Sequence, residues 1–335
     1  LNIPQMKKPM RVFYAIAVAI CAVLASPARA EDAPSIPFGD ILGLWFFNDT
    51  HLLDASDSPP LTASNLTLIP SWESNAVQIA STEPAVLRYR EIQTNGIPNL
   101  LCDNGSLLVW FQPNWSSTNA DGTGPGTWAR LVEMGTYTED ASIGWWSLYL
   151  DPEGCTLHFA AQTNGAEAVY LTAPVQFISN RWYQVALTYS ISNSALYLDD
   201  QLLTNGNGVT YWPSASVRSN GFCLGSDDTG VAQVQGQLES ILTFNYPLYD
   251  CEVIEWYDAC SLMVQAWESE QGMRDGGGNE LEGGSGLLDG GSSSMSMGDC
   301  TEPKLMATRQ DKTNVLLTIC GNSVTYDLVV ATNLN

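Results

Sequence analysis

Six aromatic side chains at predicted strand ends or in loops are the residues most suited to binding a ligand. An aromatic ring packs well on the apolar side of a sugar ring, while neighbouring Asn, Gln and Asp side chains hydrogen-bond to its hydroxyls. The candidate ligand-binding residues are Trp115, Trp128, Tyr137, Trp145, Tyr211 and Trp212. The alternative for each of them is a place in the hydrophobic core, where we expect Trp45, Trp110 and Trp182.

The charge of the chain argues against several classes of partner. The 335 residues carry a formal net charge of −23, with 45% hydrophobic and only 15% charged residues. Such an acidic surface repels nucleic acid and anionic lipid, and no basic patch offsets it. Among sugars, it favours neutral polysaccharides over sulfated or uronic ones. The composition fits an exported, β-rich protein with one large domain or two ordinary ones.

The first 30 residues have the organisation of an export signal. A basic start precedes an apolar run at residues 12–25, and Ala28-Arg29-Ala30 is a small-x-small cleavage site. Because the apolar run is short for a bilayer span, we predict a cleaved signal peptide at 1–30 rather than a membrane anchor. The mature protein is then expected to be secreted by bacterial export, and to be extracellular or at the cell surface.

Alternating apolar residues predict about a dozen short strands before residue 250. Between residues 106 and 113 both alternating faces are apolar, which predicts an inner strand covered on both sides. Residues 182–189 alternate in the same way, and the polar residues 192–194 provide a turn into a second strand. Regularly spaced strands of this kind indicate an antiparallel sandwich, which a short helix at 250–259 is expected to follow.

Several of these stretches resemble bacterial laminin-G-like (LamG) domains, which have a concanavalin A-like lectin/glucanase fold. Residues 182–189 match a strand of that family that opens on Trp, and residues 197–199 match the end of its next strand. Residues 106–113 resemble an inner strand of the family, and residues 236–248 resemble its closing strand. The resemblance implies an all-β, concanavalin A-like antiparallel jelly-roll sandwich with a short C-terminal helix at residues 36–262.

Beyond the predicted sandwich the composition changes twice. Residues 263–300 are predicted to be a Gly/Ser-rich linker, because they contain too few apolar residues to order themselves. Residues 301–335 return to strand-like sequence. A single hairpin is not stable by itself, so we interpret them as the start of a second β-domain that the sequence cuts short.

The resemblance also implies a Ca²⁺ site, because jelly rolls of this kind bind Ca²⁺ through loop carboxylates and backbone carbonyls. The positions that match the ligands of the family are Asn48, Asp54 and Glu239, and Asp57 is a nearby addition. Asn48 and Glu239 replace the residues usual in the family. The alternative is that these side chains only cap turns.

The resemblance and the aromatic residues together predict a secreted, non-catalytic module that binds a glycan or another cell-surface ligand. Glycoside hydrolases on this sandwich carry carboxylates in a Glu-x-Asp-x-x-Glu arrangement, and the sequence contains no Glu-x-Asp. His158, inside a predicted strand, is interpreted as structural. The alternatives are a structural or adhesive module of a larger surface protein and a diverged glycoside hydrolase. Expected partners include further domains of the same polypeptide, but neither nucleic acid nor a membrane span.

Overall fold

The computed structural model describes residues 40–48, 50–54, 58–163 and 165–275, together with three strands between residues 304 and 331. The chain divides into two compact units, Leu1–Glu268 and Ser269–Asn335. The predicted signal peptide and the part of the predicted linker after residue 275 lie outside the described residues. No helix in the described part of the chain is both long and apolar enough to cross a bilayer.

The first unit is a sandwich of two antiparallel sheets. In chain order its strands are β1 (Ile41–Trp45), β2 (Thr62–Ser64), β3 (Thr67–Pro70), β4 (Asn75–Ile79), β5 (Val86–Tyr89), β6 (Gly105–Pro113), β7 (Arg130–Gly135), β8 (Trp145–Leu150), β9 (Thr156–Thr163), β10 (Ala166–Pro174), β11 (Tyr183–Tyr189), β12 (Asn193–Leu198), β13 (Gln201–Asn207), β14 (Phe222–Leu224) and β15 (Gly236–Phe244). Its described helices are α1 (Ala215–Arg218) and α2 (Asp250–Asp275).

The two sheets differ in size and in strand order. The larger sheet has eight strands, in the order β13–β12–β11–β6–β15–β4–β3, with β1 also paired to β15. The smaller sheet has seven strands, in the order β10–β9–β8–β7–β14–β5–β2. Neighbours in these orders are often distant in sequence, as expected for a jelly roll. The predicted all-β antiparallel jelly-roll sandwich is therefore confirmed.

Strand β6 illustrates how the alternation of side chains builds the core. Leu107, Val109 and Phe111 point into the hydrophobic core between the sheets. Leu108 and Trp110 point to the opposite face and are buried there as well. Each fully buried side chain of this size contributes roughly 1.5–3 kcal/mol of transfer free energy. The prediction of an inner strand that is covered on both sides is confirmed.

Helix α2 provides the cover on the outer face of the eight-stranded sheet. Val253 packs in a cluster with Leu108 of β6, and Val264 packs in a cluster with Trp110. The rings of Trp110 and Tyr257 are stacked, with centroids 5.8 Å apart and planes 11° apart. The helix is longer than the predicted 250–259. The helix includes residues 263–275, which were predicted to belong to the linker.

Apart from the end of helix α2 after Glu268, the second unit is described by three strands. They are β16 (Lys304–Arg309), β17 (Asn314–Cys320) and β18 (Thr325–Ala331). They form an antiparallel sheet in the order β16–β17–β18. In this register Leu317 of the central strand lies between Ala307 and Leu328.

Candidate functional site

The outer face of the seven-stranded sheet carries a group of aromatic and charged side chains, and we call it the open face. On β8, Trp146 and Leu148 point into the core, so Trp145, Ser147 and Tyr149 point outward. The neighbouring strands add outward-facing side chains at both sides of β8. These residues are Arg130 and Glu133 of β7, and His158 and Gln162 of β9.

Four aromatic rings on this face form a continuous row. The ring centroids of Trp128 and Tyr149 are 5.9 Å apart, those of Tyr149 and Trp145 are 5.4 Å apart, and those of Trp145 and Tyr137 are 5.2 Å apart. Trp128 and Tyr137, at the two ends, are 49% and 45% exposed. We call these four residues the aromatic row. Such distances are typical of favourable contacts between aromatic rings.

A buried ion pair fixes the middle of the aromatic row. The Arg130 guanidinium lies 5.2 Å from the ring centroid of Trp145 and 4.9 Å from that of Tyr149. Its Nε–H donates to Oε1 of Glu133 at 3.0 Å, and the Trp145 indole N–H donates to the same carboxylate. The backbone N–H of Asp228 donates to Oε2 of Glu133 at 3.2 Å. The orientation of both rings is therefore held by one carboxylate.

The buried environment of Glu133 favours the protonated, neutral form of its carboxyl group more than water does. Burial raises the pKa of this carboxyl group to about 7, although Arg130 and the Trp145 hydrogen bond lower the pKa. Glu133 therefore combines a structural role with a pKa close to neutrality.

Polar side chains lie beside the aromatic row on strand β9. Nδ1 of His158 is 3.2 Å from Oγ1 of Thr172, and burial lowers the pKa of this imidazole. Gln162 is held by the backbone of Thr138: its Oε1 accepts from the N–H at 3.1 Å, and its Nε2–H donates to the carbonyl at 2.9 Å. Gln162 Nε2–H also donates to Oε2 of Glu167 at 3.0 Å. Gln162 is fully buried, whereas His158 is half-buried and Thr172 and Glu167 are exposed. The last three are of the kind that hydrogen-bond to sugar hydroxyls.

Of the six predicted ligand-binding aromatic residues, three lie together on the open face. Trp128 and Tyr137 are exposed there, whereas Trp145 is only 1% exposed. Its ring is covered by Tyr137, Tyr149 and Arg130. Tyr211 and Trp212 lie elsewhere and pack, partly buried, against the core between the sheets. The structure thus brings half of the predicted set together.

Trp115 is a core residue, contrary to the prediction that it faces a ligand. Its indole N–H donates to the carbonyl of Val234 at 2.8 Å, and its ring contacts Phe111 and Phe177. The buried hydrogen bond satisfies the only polar atom of the indole ring, so the side chain can remain in the core. Its exposed fraction is 6%.

Sequence analysis did not assign Arg130, Glu133 and Tyr149 to the site, and it interpreted His158 as structural. The alternation of side chains predicts which residues of β8 face outward, because Trp145, Ser147 and Tyr149 follow each other at intervals of two residues. That signal identifies Tyr149. The contributions of the neighbouring strands depend on strand pairing, which the sequence alone does not reveal.

Of the four residues predicted to bind Ca²⁺, Glu239 lies on strand β15 and the other three lie in the loop after β1. Glu239 of β15 faces helix α2, where its carboxylate accepts from the Ser71 hydroxyl and from the backbone N–H of Glu73 at 3.0 Å. Burial raises the pKa of Glu239 to about 8. Both oxygens of this carboxylate are thus engaged by donors of the protein. Within the described ranges no three His, Cys, Asp or Glu residues are grouped to hold a metal ion.

The other three predicted ligands lie in the loop after β1. Asn48 is exposed, whereas Asp54 is buried, with its Oδ1 accepting from the backbone N–H of Ser58 at 2.8 Å. Asp57 lies outside the described residues. This turn geometry agrees with the alternative that loop carboxylates cap turns.

Comparison with known proteins confirms the resemblance to laminin-G-like domains. The family model Laminin_G_3, described as the concanavalin A-like lectin/glucanases superfamily, matches residues 90–254. Residues 90–254 are therefore a laminin-G-like region of that superfamily. A comparison with curated proteins finds no match.

Several solved structures have a similar fold. A mutant sialidase of Trypanosoma rangeli displaying trans-sialidase activity has a TM-score of 0.51 and 14% identity, over 77% of this chain and 39% of the sialidase. Domain 4 of a GH43 extracellular arabinanase from Geobacillus stearothermophilus, solved with arabinotriose, has a TM-score of 0.47 and 13% identity, over 64% of this chain and 97% of that domain. At these identities the similarity concerns the fold alone.

Proposed function

We propose that the first unit is a non-catalytic carbohydrate-binding module and that the open face binds the sugar. The observation that carries the proposal is the half-exposed pair Trp128 and Tyr137 at the ends of the aromatic row. Exposed rings beside polar side chains match the two surfaces of a sugar, its apolar face and its hydroxyl groups. The half-buried His158 and the exposed Thr172 and Glu167 on the neighbouring strand β10 supply the polar side chains.

The state of Glu133 supports the non-catalytic part of the proposal. A glycosidase needs two carboxyl groups about 5–9.5 Å apart that can both reach the substrate. Glu133 is 3% exposed and already accepts hydrogen bonds from Arg130, Trp145 and Asp228. One property of Glu133 favours the alternative, a diverged glycoside hydrolase. Its pKa is about 7, and a general acid in a glycosidase needs a raised pKa of this kind.

The location and wider partners follow from the same proposal. We infer that residues 1–30 direct export, that cleavage follows Ala30, and that the mature protein acts outside the cell or at its surface. Its ligand would be a glycan there, and further domains of the polypeptide would be linked to the sandwich. N-terminal sequencing of the exported product should begin at Glu31, and an intact N-terminus would contradict the export proposal.

Calcium remains a proposal for the loop after β1, without Glu239. Ca²⁺ at about 100-fold above Kd would stabilise the native state by about 2.7 kcal/mol. We expect the melting temperature to rise with Ca²⁺ and Asp54→Ala to abolish the rise, whereas Glu239→Gln should leave the response unchanged. An unchanged melting temperature in millimolar Ca²⁺ would remove the cofactor from the proposal.

The binding proposal is tested with a glycan array and with calorimetry on any glycan that binds. Trp128→Ala and Tyr137→Ala should each weaken binding by about 1 kcal/mol, roughly fivefold in Kd. Tyr249→Ala is the matched control, because Tyr249 is 68% exposed and lies outside the open face. An array without hits, or hits that both variants leave unchanged, would favour the structural or adhesive module. Release of reducing sugar from a hit would favour the hydrolase.

A further inference from the structure

The two exposed rings of the aromatic row lie at opposite ends of one strand. Trp128 is two residues before Arg130, the first residue of β7, and Tyr137 is two residues after Gly135, the last. In the strand register Arg130 pairs with Tyr149 and Gly135 pairs with Trp145. The rings of Trp145 and Tyr149 lie between the two exposed rings, and the three successive centroid distances of 5.9, 5.4 and 5.2 Å give the row a length on the order of 15 Å. This distance exceeds the reach of a single sugar ring.

The space between the two exposed rings is filled with protein. Trp145 is 1% exposed and Ser147 is 0% exposed, because the rings of Trp145 and Tyr149 lean over the serine. The Arg130 guanidinium lies against both rings. A ligand can lie across this surface, but the filled centre leaves no depth for a chain end to insert. Recognition of a terminal sugar normally uses an enclosing pocket.

Polar side chains lie beside both ends of the row. At the Tyr149 end, His158 of β9 is its direct neighbour in the register, and the exposed Thr172 of β10 follows it. At the Trp145 end, the buried Gln162 lies directly opposite and donates to the exposed Glu167 of β10. A sugar chain laid along β8 would thus meet hydrogen-bonding groups at each end as well as a ring.

From this geometry we infer that the open face binds an internal stretch of an extended glycan chain, laid along β8 from Trp128 to Tyr137. The inference rests on the proposed function and adds the form of the ligand. Each exposed ring is one anchor, to which one sugar unit of the chain can bind. In a chain long enough to reach both rings, the second contact forms within the same complex and therefore raises the affinity. A short oligosaccharide can occupy only one anchor at a time.

The experiment is a chain-length series measured by calorimetry. The probes are xylo-, arabino-, cello- and malto-oligosaccharides, from the monosaccharide to chains longer than the distance between the rings. In the series that binds, affinity should rise about fivefold to tenfold once the chain spans both rings and then level off. Trp128→Ala and Tyr137→Ala should each remove this rise, because only one anchor remains.

Two control variants separate the role of the rings from general damage to the protein. Trp128→Tyr keeps an aromatic ring at one end and should retain the length dependence. Tyr249→Ala, outside the open face, should behave as the unchanged protein. Both Ala variants should still fold and show a cooperative melting transition, since Trp128 and Tyr137 are half-exposed.

Blocking the chain ends provides the decisive comparison. A long oligosaccharide modified at both ends should bind as well as the unmodified chain. If the shortest ligands bind as tightly as the long ones, or if blocked ends abolish binding, the inference is wrong while the binding function stands. If no sugar of any length binds, the proposed function itself fails.

Discussion

Tyr149 and His158 stack across the neighbouring strands β8 and β9, with ring centroids 4.9 Å apart and planes 17° apart. They are direct partners in the strand register, so the pairing of the strands itself creates the contact. Trp128 contacts both rings, at 5.9 Å from each. Two aromatic rings therefore flank the half-buried imidazole, which explains why burial lowers its pKa.

The first prediction concerns the protonation of His158. Its pKa, measured by NMR titration, should lie below the usual value of about 6.5. Since the folded pKa is then below the unfolded one, the unfolded state binds more protons near and below pH 6.5. This group should therefore lower the free energy of unfolding as pH falls through that value. Trp128→Ala should raise the pKa of His158 towards 6.5, and a pKa already at 6.5 would contradict this effect of burial.

The second prediction concerns the ion pair beneath the aromatic row. Glu133→Ala leaves the largely buried Arg130 without its carboxylate, and the free energy of unfolding should fall by about 3 kcal/mol. Glu133→Gln keeps an acceptor for the Trp145 indole N–H and should cost less. Urea unfolding measures both, with Glu153→Gln as an exposed control. Equal losses for Ala and Gln would show that the hydrogen bond to Trp145 contributes little.

The third prediction concerns the pH dependence of stability. Because burial raises the pKa of Glu239 to about 8, the folded state keeps a proton there that the unfolded chain, with a pKa of about 4.3, releases. The free energy of unfolding should therefore fall as pH rises from about 4.3 to 8. Burial and the neighbouring Glu239 also raise the pKa of Glu73, which adds to the same trend.

Glu239→Gln tests this pH dependence directly. The variant should reduce the slope of stability against pH between those limits, by an amount on the order of 5 kcal/mol over the whole window. Glu83→Gln, at an exposed position, is the matched control and should leave the slope unchanged. An unaltered slope in Glu239→Gln would mean that Glu239 is ionised in the folded protein at neutral pH.

The fourth prediction concerns the end of helix α2. A variant that ends at Leu262 loses Val264 and Trp267, which pack against Trp72 and its neighbours on the eight-stranded sheet. Its free energy of unfolding should be lower by about 3 kcal/mol, and its tryptophan fluorescence should shift to the red. A variant that ends at Asp275 keeps these contacts and is the control. Equal stability of the two variants would mean that the end of the helix contributes little.

Much of the fold was predictable because alternation reports burial directly. Strand β6 has apolar side chains on both of its faces, so both faces had to be covered. The opposite sheet covers one face and helix α2 covers the other. The extension of α2 beyond residue 259 was also predictable from the sequence. Val253, Cys260, Val264 and Trp267 follow a helical spacing that continues past residue 259.

The site was only partly predictable because its residues meet through pairing between strands. Trp115 and Trp128 both flank one Gly-rich segment, yet Trp115 is buried through a hydrogen bond to Val234, which is 119 residues away. Arg130 and Glu133 acquire their role through Trp145 on the next strand. No local pattern distinguishes these outcomes, because each depends on contacts distant in sequence.

Strand β1 and helix α2 both belong to the eight-stranded side of the sandwich, where Leu44 and Trp256 pack in one cluster. The first described strand of this unit and its last described helix thus both lie on the layer that faces away from Trp128 and Tyr137. A tether attached at β1 or at α2, to another polypeptide or to a sensor surface, would lie on the side of the eight-stranded sheet. The rings on the opposite layer would stay sterically accessible to a polymer too large to diffuse around the protein.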